Sequence, residues 1–250
     1  MYTNDIFPPA YIKAKIRMID NKILQLPDVR LGHRKGRDIF RQYSYDNGKR
    51  KIREFSCDKP EGRELFDQSE ARKTLIKEKN QLRMMIKGVA NIPDVDVTRD
   101  KTIYNKSMWE NIHIRAEFET KESGYRYKDM VMDSRAEMIV AQTLESLGLQ
   151  YKYEPRIFIN GELYYPDFIV YLPEFERCFF IEFLGQLDNE KYISRNKFKI
   201  MDYLKAGMVI NRDILLFCGY EDSMVTADDM IDDISALIKK YCRIYSKPQD

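Results

Sequence analysis

Tyr164-Tyr165-Pro166-Asp167-Phe168-Ile169-Val170, answered by Phe179-Phe180-Ile181-Glu182-Phe183-Leu184-Gly185, is the part of the chain that decides its fold. Both runs are apolar and aromatic, the composition of a buried strand. Leu172-Pro173-Glu174-Phe175-Glu176 between them supplies a turn. The pattern predicts a hairpin that brings Asp167 and Glu182, fifteen residues apart, to one end. A buried carboxylate is costly unless it is hydrogen-bonded, paired or bound to a cation. Two of them converging point to a hard cation held by oxygen, with Mg²⁺ the usual choice for phosphate chemistry.

Around this hairpin the pattern stays regular. Ser134-Arg135-Ala136-Glu137 opens a helix with Ile139, Val140, Leu144 and Leu147 on its apolar side, stopped at Gly148. Ser134 followed by Glu137 is also a capping box, which gives that glutamate a purely local role as an alternative. Residues 151–154 and 156–159 read as strands, with Asn160-Gly161 as a tight turn. After Gly185, Asp188 or Asn189 can cap a helix from Glu190 to about Ala206, ended by Gly207. At 100° per residue, Tyr192, Asn196, Lys199 and Tyr203 share a face beside the stripe Ile193, Ile200 and Leu204. Lys199 is thereby drawn inward, Lys191, Arg195 and Lys205 point away, and Lys197 at the opposite edge is a weaker rival. Residues 214–218 form a further strand, and a last helix starts at Thr226 with acids first and Lys239, Lys240 and Arg243 last.

Towards the N-terminus the character changes. Ile12, Ile16, Ile19, Ile23 and Leu26 make a narrow seam on a helix ended by Pro27. A second helix over 64–87 carries Leu65, Leu75, Leu82, Met85 and Ile86. The two either pair as a coiled coil or pack on the rest of the protein. Between them, 38–45 and 49–56 flank Asn47-Gly48, a two-residue hairpin turn. Residues 30–53 hold nine Lys or Arg against Asp38 and Asp46, whereas 221–234 hold six acids and no base. Arg34, Lys35, Arg37, Arg41, Lys49, Arg50, Lys51 and Arg53, interleaved with Phe40, Tyr43, Tyr45 and Phe55, are the candidate nucleic-acid contacts. A solvated hairpin whose charges only confer solubility is the plain alternative.

Composition narrows the classes. With 250 residues, 33% charged and 44% hydrophobic, the chain can bury a real core, and its net charge of +2 shows no global basicity. Nothing approaches eighteen consecutive apolar residues, so no membrane span is expected. The start of the chain does not read as a signal peptide. Cys57, Cys178, Cys218 and Cys242 form no CxxC pair and read as reduced thiols of a cytoplasmic protein. His33 and His113 have no second histidine nearby for a metal pair, and no GxxxxGK phosphate loop is present.

The order of motifs resembles the PD-(D/E)XK nuclease superfamily: a helix bearing Glu137, then Pro166-Asp167 on one strand, then Glu182 on the next. Ser134-Arg135-Ala136-Glu137, Tyr153-Glu154-Pro155, Pro166-Asp167-Phe168 and Glu182-Phe183-Leu184-Gly185 with Asp188 and Tyr192 are similar to a bacterial and phage branch. The likeness spans about residues 130–220. The superfamily's lysine belongs two residues after Glu182, where this chain has Leu184; in related branches it comes from the following helix, and Lys199 fits that place.

The resemblance implies an α/β, restriction-endonuclease-like core, a central mixed sheet flanked by helices. The residue pattern before it adds a helical arm with a basic β-hairpin, so the expected division is an arm (1–88), a linker region (89–130) and a nuclease-like domain (131–250). The implied activity is Mg²⁺- or Mn²⁺-dependent endonucleolytic hydrolysis of DNA, with RNA not excluded. Asp167, Glu182 and Glu137 would serve the metal, Lys199 would orient water and offset charge, and Gln186 would contact phosphate or water. A homodimer or a larger nucleic-acid-processing complex fits the same picture. Two other classes remain: an inactive nucleic-acid-binding module, motivated by Leu184, and an interaction subunit docking through residues 10–87.

Overall fold

The computed structural model describes residues 6–97, 102–115, 124–185, 189–219 and 225–246. Gln186, Asp188 and the side chain of Arg195, to which the sequence assigned roles, lie outside the described residues. The fold is mixed α/β, in two compact units: Ile12–Ile92, and a larger one made of the segment before it and the chain from Pro93 onward.

In the smaller unit, helix α1 (Pro9–Gln25) leads into strands β1 (Asp28–Arg34), β2 (Arg37–Asp46) and β3 (Lys49–Ser56), followed by helix α2 (Pro60–Met85). The strands form an antiparallel sheet in the order β1-β2-β3, where the sequence suggested only the β2–β3 hairpin. Asn47 and Gly48 both take positive φ, 49° and 76°, as the tight turn requires. Lys35 and Gly36 repeat this geometry at 50° and 75°. A lysine in place of the usual Asn or Asp hid the second turn, and with it β1.

The isoleucine seam of α1 is buried at Ile12, Ile16, Ile19 and Ile23. Arg72 of α2 donates to the carbonyls of Ile23 and Leu26, each at 2.9 Å, satisfying acceptors that a helix end leaves open. Lys79 pairs with Asp20 at 2.7 Å. The first half of α2 lies on the sheet: Phe66 stacks on Phe40 with ring centroids 5.3 Å apart, and Ser69 Oγ donates to the Val29 carbonyl at 3.1 Å.

The larger unit runs α3 (Lys106–Asn111), β4 (Tyr125–Tyr127), β5 (Met130–Met132), α4 (Arg135–Ser146), β6 (Gln150–Tyr153), β7 (Ile157–Ile159), β8 (Glu162–Tyr164), β9 (Phe168–Leu172), β10 (Arg177–Leu184), α5 (Glu190–Lys205), β11 (Ile214–Cys218) and α6 (Ala227–Tyr245). Its main sheet has the order β11-β10-β9-β6, with β10 and β11 parallel and the other neighbours antiparallel. Ile169, Tyr171, Cys178 and Phe180 on one face pack with Tyr203 of α5 and Tyr104. Trp109 of α3 stacks on Tyr171 at 5.4 Å. Residues 104–112, within the stretch expected to link the two parts, therefore belong to a core; Cys178 N–H donates to the Tyr104 carbonyl at 2.9 Å.

Helix starts are set by side chains that the sequence displays. Ser134 accepts from Glu137 N–H, Asn189 from Lys191 and Tyr192 N–H, and Thr226 forms a reciprocal box with Asp229. Deep in the unit, Arg177 pairs with Asp213, both side chains almost wholly buried, and donates to Tyr245 Oη at 2.9 Å. All four cysteines are free thiols. Among the described residues no helix is long and apolar enough to cross a membrane.

Candidate functional site

Register decides where the two acids stand. Phe168 lies opposite Ile181, so Asp167 and Glu182 come next at the same end of β9 and β10. Alternation along a strand puts Glu182 on the face of Phe180 and Cys178, and Asp167 on the face of Ile169, which is the same side of the sheet. Asp167 Oδ2 accepts the Phe183 N–H at 2.6 Å, locking its carboxylate across the strand gap.

Helix α5 supplies the counter-charge. Lys199 Nζ lies 2.6 Å from Glu182 Oε1 and donates to Oε2 at 2.8 Å and to the Tyr165 carbonyl at 3.0 Å. Tyr203, one helical turn on, donates to Glu182 Oε1 at 2.6 Å. Lys199 and Tyr203 thus face inward together, while Lys197 is exposed. The phase of α5 differs from expectation in one respect. Ile193 and Leu204, read as part of the buried stripe, are 39% and 41% exposed, because the polar-aromatic edge of Tyr192, Lys199 and Tyr203 is the part that meets the sheet.

Glu137 of α4 is engaged locally. Its Oε1 accepts the Ser134 hydroxyl at 2.8 Å, and its Oε2 accepts Tyr153 Oη at 2.6 Å and Asp133 N–H at 3.1 Å. While held in these local contacts, Glu137 still acts through its charge on both Asp167 and Glu182. Burial, reinforced by the Glu182 charge, pushes the Asp167 carboxyl well above the usual carboxylate range, against the opposing pull of Lys199. Burial also raises Glu182, with Lys199 and Tyr203 working against it.

A further acid escaped the residue reading. Glu154 follows β6 at φ 46°, the left-handed region that non-glycine residues seldom occupy. Its N–H donates to the Asp167 carbonyl at 2.9 Å, and its Oε1 accepts Arg115 Nη1 at 2.9 Å. The Arg115 guanidinium lies 5.3 Å from the Tyr165 ring centroid, beside the segment that carries Asp167 and holds Lys199. Burial raises the Glu154 carboxyl, which Arg115 partly offsets. Only the quoted Tyr-Glu-Pro motif hinted at it, because its partner stands 39 residues away.

The donor set suits a hard cation, which takes oxygen ligands and, for Mg²⁺, needs only one or two carboxylates beside substrate phosphate and water. Asp167 accepts a hydrogen bond at Oδ2 alone among the described residues and keeps some exposure. Glu182 would share its oxygens with Lys199 and Tyr203. No group of three or more His, Cys, Asp or Glu side chains is gathered for a metal among the described residues.

The eight basic candidates of the smaller unit do not form one patch. Register and alternation place Arg34, Arg37, Arg41 and Arg50 on one face of the sheet. Lys49, Lys51 and Arg53 share the opposite face with Phe40 and Phe55, the side on which α2 packs; Lys35 sits in the first turn. Arg30 of β1 joins the first group, and was missed because β1 itself was.

No protein-family model, curated protein or solved structure matches this chain.

Proposed function

We propose that the larger unit hydrolyses nucleic-acid phosphodiester bonds with the help of a divalent cation, on a restriction-endonuclease-like core of the PD-(D/E)XK type, DNA being the first substrate to test. One observation carries the reading: Asp167 and Glu182 stand side by side at one sheet end, and Lys199 reaches Glu182 from the next helix. This is the pairing of two acids and a lysine that the chemistry needs, and it supplies from α5 the cation missing at Leu184.

Asp167 and Glu182 would hold Mg²⁺ or Mn²⁺, which when bound polarises the phosphate and lowers the pKa of bound water. Lys199, freed from part of its contact with Glu182, would orient the attacking water and offset charge on the phosphoryl oxygens. Tyr203 would keep Glu182 aimed and ionised, and Glu137 would fix the Ser134–Tyr153 side of the site while adding negative potential.

The test is cleavage of supercoiled plasmid, branched and linear DNA, and a single-stranded RNA, with Mg²⁺, Mn²⁺ or EDTA. Wild type is compared with Asp167→Ala, Glu182→Ala and Lys199→Ala. Metal-dependent cutting that each substitution lowers by about a hundredfold or more, some 2.7 kcal/mol, is the expected result. Cutting that survives both acid substitutions refutes the assignment. A second reading, a binding module without catalysis, draws on the buried Leu184 and the closed Lys199–Glu182 pair. It predicts a folded protein that binds nucleic acid and cuts none of these substrates.

A further inference from the structure

The open face of the three-stranded sheet pairs like charges. Arg30 stands directly opposite Arg41, and Arg34 opposite Arg37, across the β1–β2 ladder. Like charges directly opposed across strands destabilise a sheet. Arg50 enters the same face from β3, opposite Tyr45. Compensation inside the unit is incomplete. Glu54 takes Arg41 at 3.1 Å and also Arg34, and Asp28 lies 3.8 Å from Arg30. Arg37 has no acidic partner among the described residues, and Arg50 rests only on the Tyr43 ring, 4.7 Å from its centroid. Arg30 lies over the same ring at 5.3 Å, so both guanidinium groups gather at one aromatic side chain. Gly32 leaves room for the Arg41 side chain: a Cβ there would stand 3.1 Å from its guanidinium. Tyr45, 73% exposed, stands at the edge of the patch.

We propose that this face, with Arg37 and Arg50 lacking an acidic partner among the described residues and Arg30 only loosely paired with Asp28, binds the phosphodiester backbone of a nucleic acid. The opposed arginines are tolerated because an anionic strand neutralises them. Arginine suits the task, since its planar fork matches phosphate oxygens and stacks on aromatic surfaces. Nucleic acid is favoured over an acidic protein or a membrane by the arginines gathered at the Tyr43 ring and by the exposed ring of Tyr45 beside them. Lys49, Lys51 and Arg53, on the helix-bearing face, lie outside the site. The inference refines the nucleic-acid part of the proposed function and does not depend on catalysis.

The test measures binding in EDTA, where a metal-dependent nuclease cannot cut. Fluorescein-labelled single-stranded and duplex DNA, single-stranded RNA, and anionic phosphatidylserine vesicles serve as probes for the full-length chain. Two triple variants remove equal charge: Arg30→Gln/Arg37→Gln/Arg50→Gln on the open face, and Lys49→Gln/Lys51→Gln/Arg53→Gln on the other. Circular dichroism confirms that both fold. The open-face variant is expected to lose affinity about tenfold or more and to reduce the slope of log K against log salt by about 2 to 3, near 0.9 for each phosphate that is no longer neutralised. The control variant should stay within about threefold of wild type. Duplex and single strands in separate arms show which form the face prefers. Equal losses in the two variants, a larger loss in the control, no nucleic-acid binding by wild type, or binding to vesicles alone would overturn the proposal. Absence of cleavage with this pattern intact would count only against the catalytic reading.

Discussion

Substituting Asp167 by Asn should make the metal-free protein more stable at pH 8, although it removes a residue central to the proposed activity. The Asp167 carboxyl is raised above its ordinary value by burial and by the Glu182 charge, which together outweigh Lys199. A carboxyl raised in the folded state stabilises the fold at low pH, where it is protonated, and that contribution is lost as pH rises through its folded-state value. Asparagine is uncharged at every pH and can still accept the Phe183 N–H. Each pH unit of elevation is worth about 1.4 kcal/mol at alkaline pH. For a unit of this size that corresponds to roughly 3 to 6 °C in Tm. Thermal unfolding of wild type and Asp167→Asn at pH 4 and pH 8 in EDTA measures it. The variant's advantage should be clear at pH 8 and shrink at pH 4. Adding Mg²⁺ at a hundred times its Kd should return about 2.7 kcal/mol to wild type and little to the variant. A lower Tm for Asp167→Asn at pH 8, or a gain that does not change with pH, would refute the view that ionised Asp167 is held against its burial cost.

Other substitutions probe the supports of the site and of each unit. Tyr203→Phe removes a buried hydrogen bond to Glu182, costing about 1.5 to 3 kcal/mol in urea unfolding. Because that bond favours ionised Glu182, the acid limb of the pH–activity profile should also move to higher pH. Asp213→Asn strands the buried Arg177 charge and should cost about 3 to 5 kcal/mol by denaturant titration. Gly48→Ala meets no atom within 4 Å, so its cost comes from the positive φ alone: about 1 kcal/mol, read as faster hydrogen exchange in β2 and β3.

Much of this was legible where the determining forces are local. The Asn-Gly turns, the helix starts at Ser134, Asn189 and Thr226, and the pairing of the two acid-bearing strands are written in neighbouring residues, and all form. Glu137, however, returns its cap bond to Asp133 N–H rather than to Ser134 N–H, and Asp167 stands just before its strand. Lys199 turns inward as helical phase suggested, although Ile193 and Leu204 of the stripe beside it are exposed. What stayed hidden depends on partners distant in sequence. Nothing local to Arg177 announces Asp213, 36 residues on, and nothing near Glu154 announces Arg115. Strand β1 was lost for a different reason: its turn uses Lys35, and its apolar alternation is broken by Gly32, whose value lies in the space it leaves for Arg41.

The same contrast bears on the site. Sequence spacing places Asp167 and Glu182 together, but the balance between them comes from α5, which folds back to put one lysine and one tyrosine on Glu182 and none on Asp167. The two acids are therefore unequal. Glu182 has its negative charge answered by the protein, whereas Asp167 has, among the described residues, only a backbone N–H as its hydrogen-bond donor and carries the stronger upward shift. If a cation binds at this sheet end as proposed, Asp167 would be its main ligand and Glu182 would be shared between the cation and Lys199. On the proposed reading, Asp167 and Glu182 would hold the cation, and Lys199 would be left to serve the phosphate.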